Sequence, residues 1–212
     1  MESISNLSVT RFLDELAGGS ATPGGGSAAA IMGAMGAALI SMVANLTIGK
    51  KGYEAAEPAM RELLAESEAL RARLAGMVAE DVAAFDSLMA AYRLPKASDV
   101  EKAARSAAIQ AGLVAATEAP LACARACAEA VRMTERAVAH GNLNAISDVG
   151  VGVLAAFAAL RSAALNVHIN VPQIKDRAYA DRALSELDAL LAECGPLSER
   201  VHAAVKAKLA PG

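Results

Sequence analysis

The chain has 212 residues, of which 55% are hydrophobic but only 3% aromatic, and it carries a formal net charge of −3. That length supports one large domain with a substantial core, and apolar content supplied mainly by alanine suits closely packed helices better than a sheet. The charge excludes the basic footprint of a nucleic-acid or membrane-surface binder, and an N-terminus without a basic stretch and an apolar run leads to the expectation of a cytoplasmic protein.

A short helix is expected over about residues 8–17. Behind it comes Ser20-Ala21-Thr22-Pro23-Gly24-Gly25-Gly26-Ser27. Three glycines after a proline open backbone conformations closed to other residues. A helix starting just behind them would aim free N–H groups and its positive dipole end into the loop, a cradle for an anion or a polar ligand. No strand precedes the glycines and no Gly-Lys-Ser/Thr follows, so neither a dinucleotide fingerprint nor a P-loop is present. The next helix is expected over about residues 27–48. Its apolar run is interrupted by Gly33, Gly36 and Ser41 and falls short of a membrane span, so it reads as a buried helix. Asn45-Leu46-Thr47-Ile48-Gly49-Lys50-Lys51 closes it, with lysines suited to the negative dipole end or to a ligand.

A long helix is expected from near Pro58 to Tyr92. Leu70, Leu74, Val78, Asp81, Phe85, Leu88 and Tyr92 recur at steps of three and four, a core-facing stripe. Asp81 stands in its middle, where a carboxylate is costly unless paired or hydrogen-bonded. It is either a structural bridge to a neighbouring helix or a functional group with a raised pKa. Arg93-Leu94-Pro95-Lys96 breaks the helix, and Lys96 is placed to reach a carboxylate. Ser98 or Asp99 would cap the next helix, which runs to about His140 with a kink or interruption at Pro120.

The turn Gly141-Asn142-Leu143-Asn144 leads into Ala145-Ile146-Ser147-Asp148. These polar groups are ordinary caps of a helix to about residue 171, or a binding cluster beside an apolar helix. Asn166 lies 18 residues after Asp148, on the same face but roughly 27 Å along the helix, so one chain cannot bring both to one atom. Two further helices, about 175–193 and 196–208, are expected to be parted at Gly195. Cys123, Cys127 and Cys194 have no metal or redox spacing, and no catalytic His or Ser motif is visible, so no metal is expected. With no linker or repeat, the chain reads as one all-α domain over residues 1–212, a bundle of long helices around a buried Ala/Gly-rich central helix.

Taken in order, Thr22 to Ser27, Asn45 to Lys51, Asp81 with Phe85, Arg93 to Lys96, Gly141 to Asp148, and Asn166-Val167-His168-Ile169-Asn170 resemble the cyclodeaminase/cyclohydrolase family. The resemblance covers about residues 8–208. Gly52 departs from it, because the family often continues the basic run there. It implies an all-helical fold, a homodimer and a tetrahydrofolate substrate, with no cofactor. The reaction it implies is hydrolysis of 5,10-methenyltetrahydrofolate to 10-formyltetrahydrofolate. The alternatives are cyclodeamination of the formimino compound with release of ammonia, or a non-catalytic folate-binding protein. On this reading Asp81 and Asp148 are the catalytic candidates. Gly24, Gly25, Gly26, Ser27, Asn45, Thr47, Lys50, Lys96, Asn142, Asn144 and Ser147 are the candidates for binding substrate.

Overall fold

A computed structural model describes residues 8–210. Among these residues the fold is all-α: α1 (Val9–Leu16), α2 (Gly25–Asn45), α3 (Glu57–Tyr92), α4 (Asp99–His140), α5 (Ile146–Asn170) and α6 (Arg177–Leu209). Single 3₁₀ turns, Glu54–Ala56, Leu143–Ala145 and Val171–Gln173, precede α3, precede α5 and follow α5.

The central helix is α2, which packs against α3, α4 and α5. Its small residues set how closely these neighbours approach. A Cβ on Gly36 would lie 3.0 Å from the Gly152 carbonyl oxygen and 3.1 Å from the Ala156 Cβ, so α2 and α5 cross almost backbone to backbone. Ala29, Ala30, Ala37, Ile40, Val43 and Ala44 are buried along it. By length and composition alone, α2, α4 and the segment around α5 are apolar enough to cross a membrane. In the fold they bury apolar faces against one another.

Three of the helices start at a side-chain cap. Ser8 caps α1 by accepting from the Arg11 N–H. Ser98 and Glu101 form a reciprocal capping box on α4: the Glu101 N–H donates to Ser98 Oγ, and the Ser98 N–H to Glu101 Oε2. Asp176 caps α6 through the Tyr179 N–H. Asn144, one of the polar residues expected to cap α5, does not serve. Asn142 instead accepts from the Asn144 N–H and caps the 3₁₀ turn ahead of α5. No side chain caps α2, and Gly24 occupies its N-cap position. The helix begins two residues earlier than expected, with Gly25 and Gly26 in its first turn.

Two prolines lie inside helices without ending them. The C-terminal pair of helices expected to part at Gly195 is one continuous helix, α6, with Pro196 inside it. Proline removes one backbone bond, but Leu187, Cys194, Leu197, Val201 and Val205 bury on both sides of it in the main core. Ion pairs Arg125–Glu186 and Arg132–Glu193 also hold α6 against α4. Packing on both sides of the proline therefore outweighs its local cost. In α4, Pro120 has no N–H to offer the Ala116 carbonyl. Asn170 Nδ2 donates to that carbonyl instead, at 2.8 Å.

Candidate active site

The apolar stripe of α3 brings Asp81 to the start of α2. Leu70, Leu74, Val78 and Leu88 of the stripe are buried, whereas Asp81, Phe85 and Tyr92 are half-buried because they face an open cavity. Ser27 Oγ donates to Asp81 Oδ2 at 2.9 Å. Burial pushes the Asp81 carboxyl pKa up from its ordinary value, and hydrogen bonds from the Ser27 side chain and backbone oppose that rise. The carboxylate also meets the positive end of a helix with no side-chain cap. Gly26 makes this approach feasible, since a Cβ there would lie 2.1 Å from Asp81 Oδ1.

The cavity has a volume of about 320 Å³. Gly24, Gly25 and Gly26 form one wall, and Asp81, Phe85, Leu88, Met89 and Tyr92 a second. Ala116 and Pro120 of α4 and Asn166, Ile169 and Asn170 of α5 complete it, with Gln173 just beyond α5. At the far end Tyr92 Oη donates to Gln173 Oε1 at 3.1 Å, joining α3 to the α5–α6 connection. The site thus offers one carboxylate with a raised pKa, open helix N–H groups, three carboxamides and an apolar wall for a ring. Among the described residues no group of three or more His, Cys, Asp or Glu is placed to share a metal.

Apart from Lys96, the remaining candidates gather at the other end of α2. The Asn142 N–H donates to Thr47 Oγ1 at 2.9 Å, and Asn142 Nδ2 donates to the Leu46 carbonyl at 2.9 Å. Thr47 Oγ1 donates in turn to the Val43 carbonyl. Thr47 is fully buried and Asn142 nearly so. These two residues, expected to bind substrate, therefore form the joint that ties the end of α2 to the start of α5. Their polar groups are taken up inside the protein. Around that joint Asn45, Asn144 and Ser147 are exposed, and Lys50 and Asp148 are half-buried. Lys96 is exposed in the α3–α4 loop and does not line the cavity.

The 21 residues of α2 separate the two clusters, about 30 Å at the α-helical rise per residue. The fold therefore brings Asp81 together with Gly24, Gly25, Gly26 and Ser27, and keeps Asp148 apart from them within one chain. Tyr92 and Gln173 are wall residues that sequence reading did not put forward as a site. Tyr92 reads as one more apolar step of the α3 stripe, and Gln173 as part of a turn. Asn166 and Asn170, one turn apart at the end of an apolar helix, were the visible signal on α5.

A family model described as formiminotransferase-cyclodeaminase matches residues 8–189. The chain belongs to that family. It is 56% identical over 204 residues to a methenyltetrahydrofolate cyclohydrolase from Methylorubrum extorquens, covering 96% of this chain and 98% of that one. It is 31% identical over 207 residues to the formimidoyltransferase-cyclodeaminase of Rattus norvegicus, covering 98% of this chain but 38% of the longer rat protein. A solved structure of formiminotetrahydrofolate cyclodeaminase from Thermotoga maritima superposes with a TM-score of 0.87 at 30% identity, covering 98% of this chain and 100% of that one. The all-α architecture is thus that of the family.

Proposed function

We propose that this member of the family hydrolyses 5,10-methenyltetrahydrofolate to 10-formyltetrahydrofolate. The observation that carries the reading is Asp81, a half-buried carboxylate held by Ser27 at the wall of a ring-sized cavity. The methenyl carbon bridges N5 and N10 as a cationic amidine and is already electrophilic, so the chemistry calls for no metal or other cofactor. Its positive charge complements Asp81.

One carboxyl group with a raised pKa serves both proton transfers. As water attacks the methenyl carbon, Asp81 accepts a proton from it, and the neutral carbinol forms. The Asp81 carboxylic acid then gives that proton to N5 as the C–N5 bond breaks. The hydroxyl proton leaves to solvent and the formyl group remains on N10. The sum is one cation and one water converted to the neutral formyl compound and one proton. The open N–H groups at the start of α2 support the developing oxygen charge.

A homodimer accompanies this reading. Met35 and Met42 of α2, Leu46 just after it, and Val151, Leu154, Leu165 and Ile169 of α5 are exposed apolar residues, and the two helices pack side by side. A twofold axis across this face would make the contact self-complementary. Running the two copies antiparallel would bring the Asp148 end of one chain to the Asp81 end of the other. Lys50, Asn45, Asn144 and Ser147 would then contact the same ligand from the partner side.

Cyclodeamination is the second reading, favoured by the structural likeness to the Thermotoga maritima protein. The higher identity to the Methylorubrum extorquens cyclohydrolase decides between them. The test is to incubate the purified protein with the methenyl compound and follow loss of its near-ultraviolet absorbance, beside an assay for ammonia from formiminotetrahydrofolate. Absorbance loss without ammonia release is expected. Ammonia release alone would establish the second reading, and binding without either reaction would make the protein a folate carrier.

A further inference from the structure

Two side chains in the cavity wall have no part in the proton transfers, yet their orientation is fixed. Asn166 Nδ2 donates to the Ser162 carbonyl at 3.0 Å, and Asn170 Nδ2 donates to the Ala116 carbonyl at 2.8 Å. A carbonyl only accepts, so in each case the amide nitrogen must face it. Each Oδ1 is left as an acceptor for whatever enters. Both residues line the cavity, on the α5 wall beside the first turn of α2. Oδ1 and Nδ2 of Asn166 each lie 3.6 Å from where a Cβ on Gly25 would stand.

The anchor of Asn170 has a specific origin. In an uninterrupted α-helix the Ala116 carbonyl would take the N–H four residues on. That residue is Pro120, which has none. Pro120 and Ala116 themselves line the cavity. The proline therefore leaves a vacant acceptor at the wall, and Asn170 fills it from another helix.

We propose that Asn166 and Asn170 are the residues that select the heterocycle, by accepting hydrogen bonds from the 2-amino and N3–H edge of a reduced pterin, with Pro120 as the positioning residue for Asn170. The identity of the ring rests on the hydrolase reading. Two acceptors on one face require a ligand edge rich in N–H donors, which the 2-amino-4-oxo ring provides and the benzoylglutamate part of a folate does not. Phe85 and Met89 line the same cavity and supply apolar surface for such a ring. Discrimination of this kind is strong, because a ring without those donors leaves desolvated amide oxygens unpaired.

The test uses the full-length protein and two separate probes, 6-methyltetrahydropterin and p-aminobenzoylglutamate, with binding measured by calorimetry. Asn166→Ala and Asn170→Ala should each weaken tetrahydropterin binding by roughly tenfold, the scale of one lost hydrogen bond, and leave p-aminobenzoylglutamate binding unchanged. Pro120→Ala restores an N–H that competes for the Ala116 carbonyl. It should raise KM for the methenyl compound while kcat holds. If Asn170→Ala fails to fold, Asn166→Ala carries the test, since its amide bonds only a carbonyl of its own helix. Folded variants that bind tetrahydropterin as wild type does would overturn the assignment, as would equal loss of both probes or a wild-type protein that binds no tetrahydropterin. A wild-type protein that binds tetrahydropterin through these residues but leaves the methenyl compound intact would sink the hydrolase reading and keep this one.

Discussion

Gly26 and Asp81 come from segments 55 positions apart and meet with no room for a methyl group between them: a Cβ on Gly26 would stand 2.1 Å from Oδ1, 2.6 Å from Cγ and 2.8 Å from Oδ2. The carboxylate occupies the space that a side chain would fill. In most helices Gly→Ala is favourable by about 1 kcal/mol. Here the sign reverses, because the methyl displaces either Asp81 or the first turn of α2. Gly26→Ala should lower both the midpoint of thermal unfolding and the turnover. A variant as stable and active as wild type would show that the carboxylate position is not required.

Asp81→Asn keeps the shape and removes the charge. Turnover of the methenyl compound should fall by roughly 10²-fold or more, the scale of lost acid–base help. Stability at neutral pH should be kept or improved, because a desolvated carboxylate is replaced by an amide. Steady-state kinetics and chemical denaturation of the same preparation check both halves. An unfolded Asp81→Asn protein would give Asp81 a structural role in place of a catalytic one.

The pH dependence follows from the direction of the Asp81 shift. Its carboxyl pKa is raised by burial above its ordinary value of 3.8. The folded protein therefore holds this proton more tightly than the unfolded chain does. The stabilising contribution is full below 3.8 and is lost as pH rises through the raised folded pKa. The base form is the active one, so kcat/KM should drop as pH falls through that raised pKa. The cationic substrate favours the carboxylate, which moves the acid limb of kcat to lower pH than that of kcat/KM. Coincident limbs, or an acid limb retained in Asp81→Asn, would assign the titration to another group.

Mixing two inactive variants reads out the shared site. If Asp81 and Asp148 act from opposite subunits, co-refolded Asp81→Asn and Asp148→Asn chains form mixed dimers with one intact site. Random pairing makes half of the dimers mixed, so about a quarter of wild-type activity should return. No recovery, with mixed dimers demonstrated by mass, would confine each site to one chain. Leu165→Glu, at a residue 70% exposed on the apolar face of α5, should give a monomeric mass in solution.

Thr47→Val tests the joint at the far end of α2. It removes the acceptor of the buried Asn142 N–H while keeping the side-chain volume. A loss of about 1–3 kcal/mol is expected from the unsatisfied group, read by denaturant unfolding. An unchanged stability would mean that the α4–α5 turn does not depend on this bond.

Local chemistry in the sequence was enough to determine most of the helices. The stripe from Leu70 to Tyr92, the Ser98–Glu101 capping box and the Pro58 start are all written in residues within a few turns of one another. So was the anomaly of Asp81, because a carboxylate in an apolar period is visible without coordinates. The continuity of α6 through Pro196 was not. It depends on α4 and α5 burying residues on both sides of the proline, and propensity counts only the missing N–H. The partner of Asp81 was equally out of reach. Periodicity tells which face of a helix turns inward, but not which helix end lies opposite a given residue. Ser27 and Asp81 are 54 positions apart, and only the packing of α2 against α3 places the hydroxyl 2.9 Å from the carboxylate. The same long-range packing sends Asp148 to the other end of α2. Two aspartates that look equivalent along the chain thus differ in the fold, because only Asp81 lines the cavity and meets the first turn of α2.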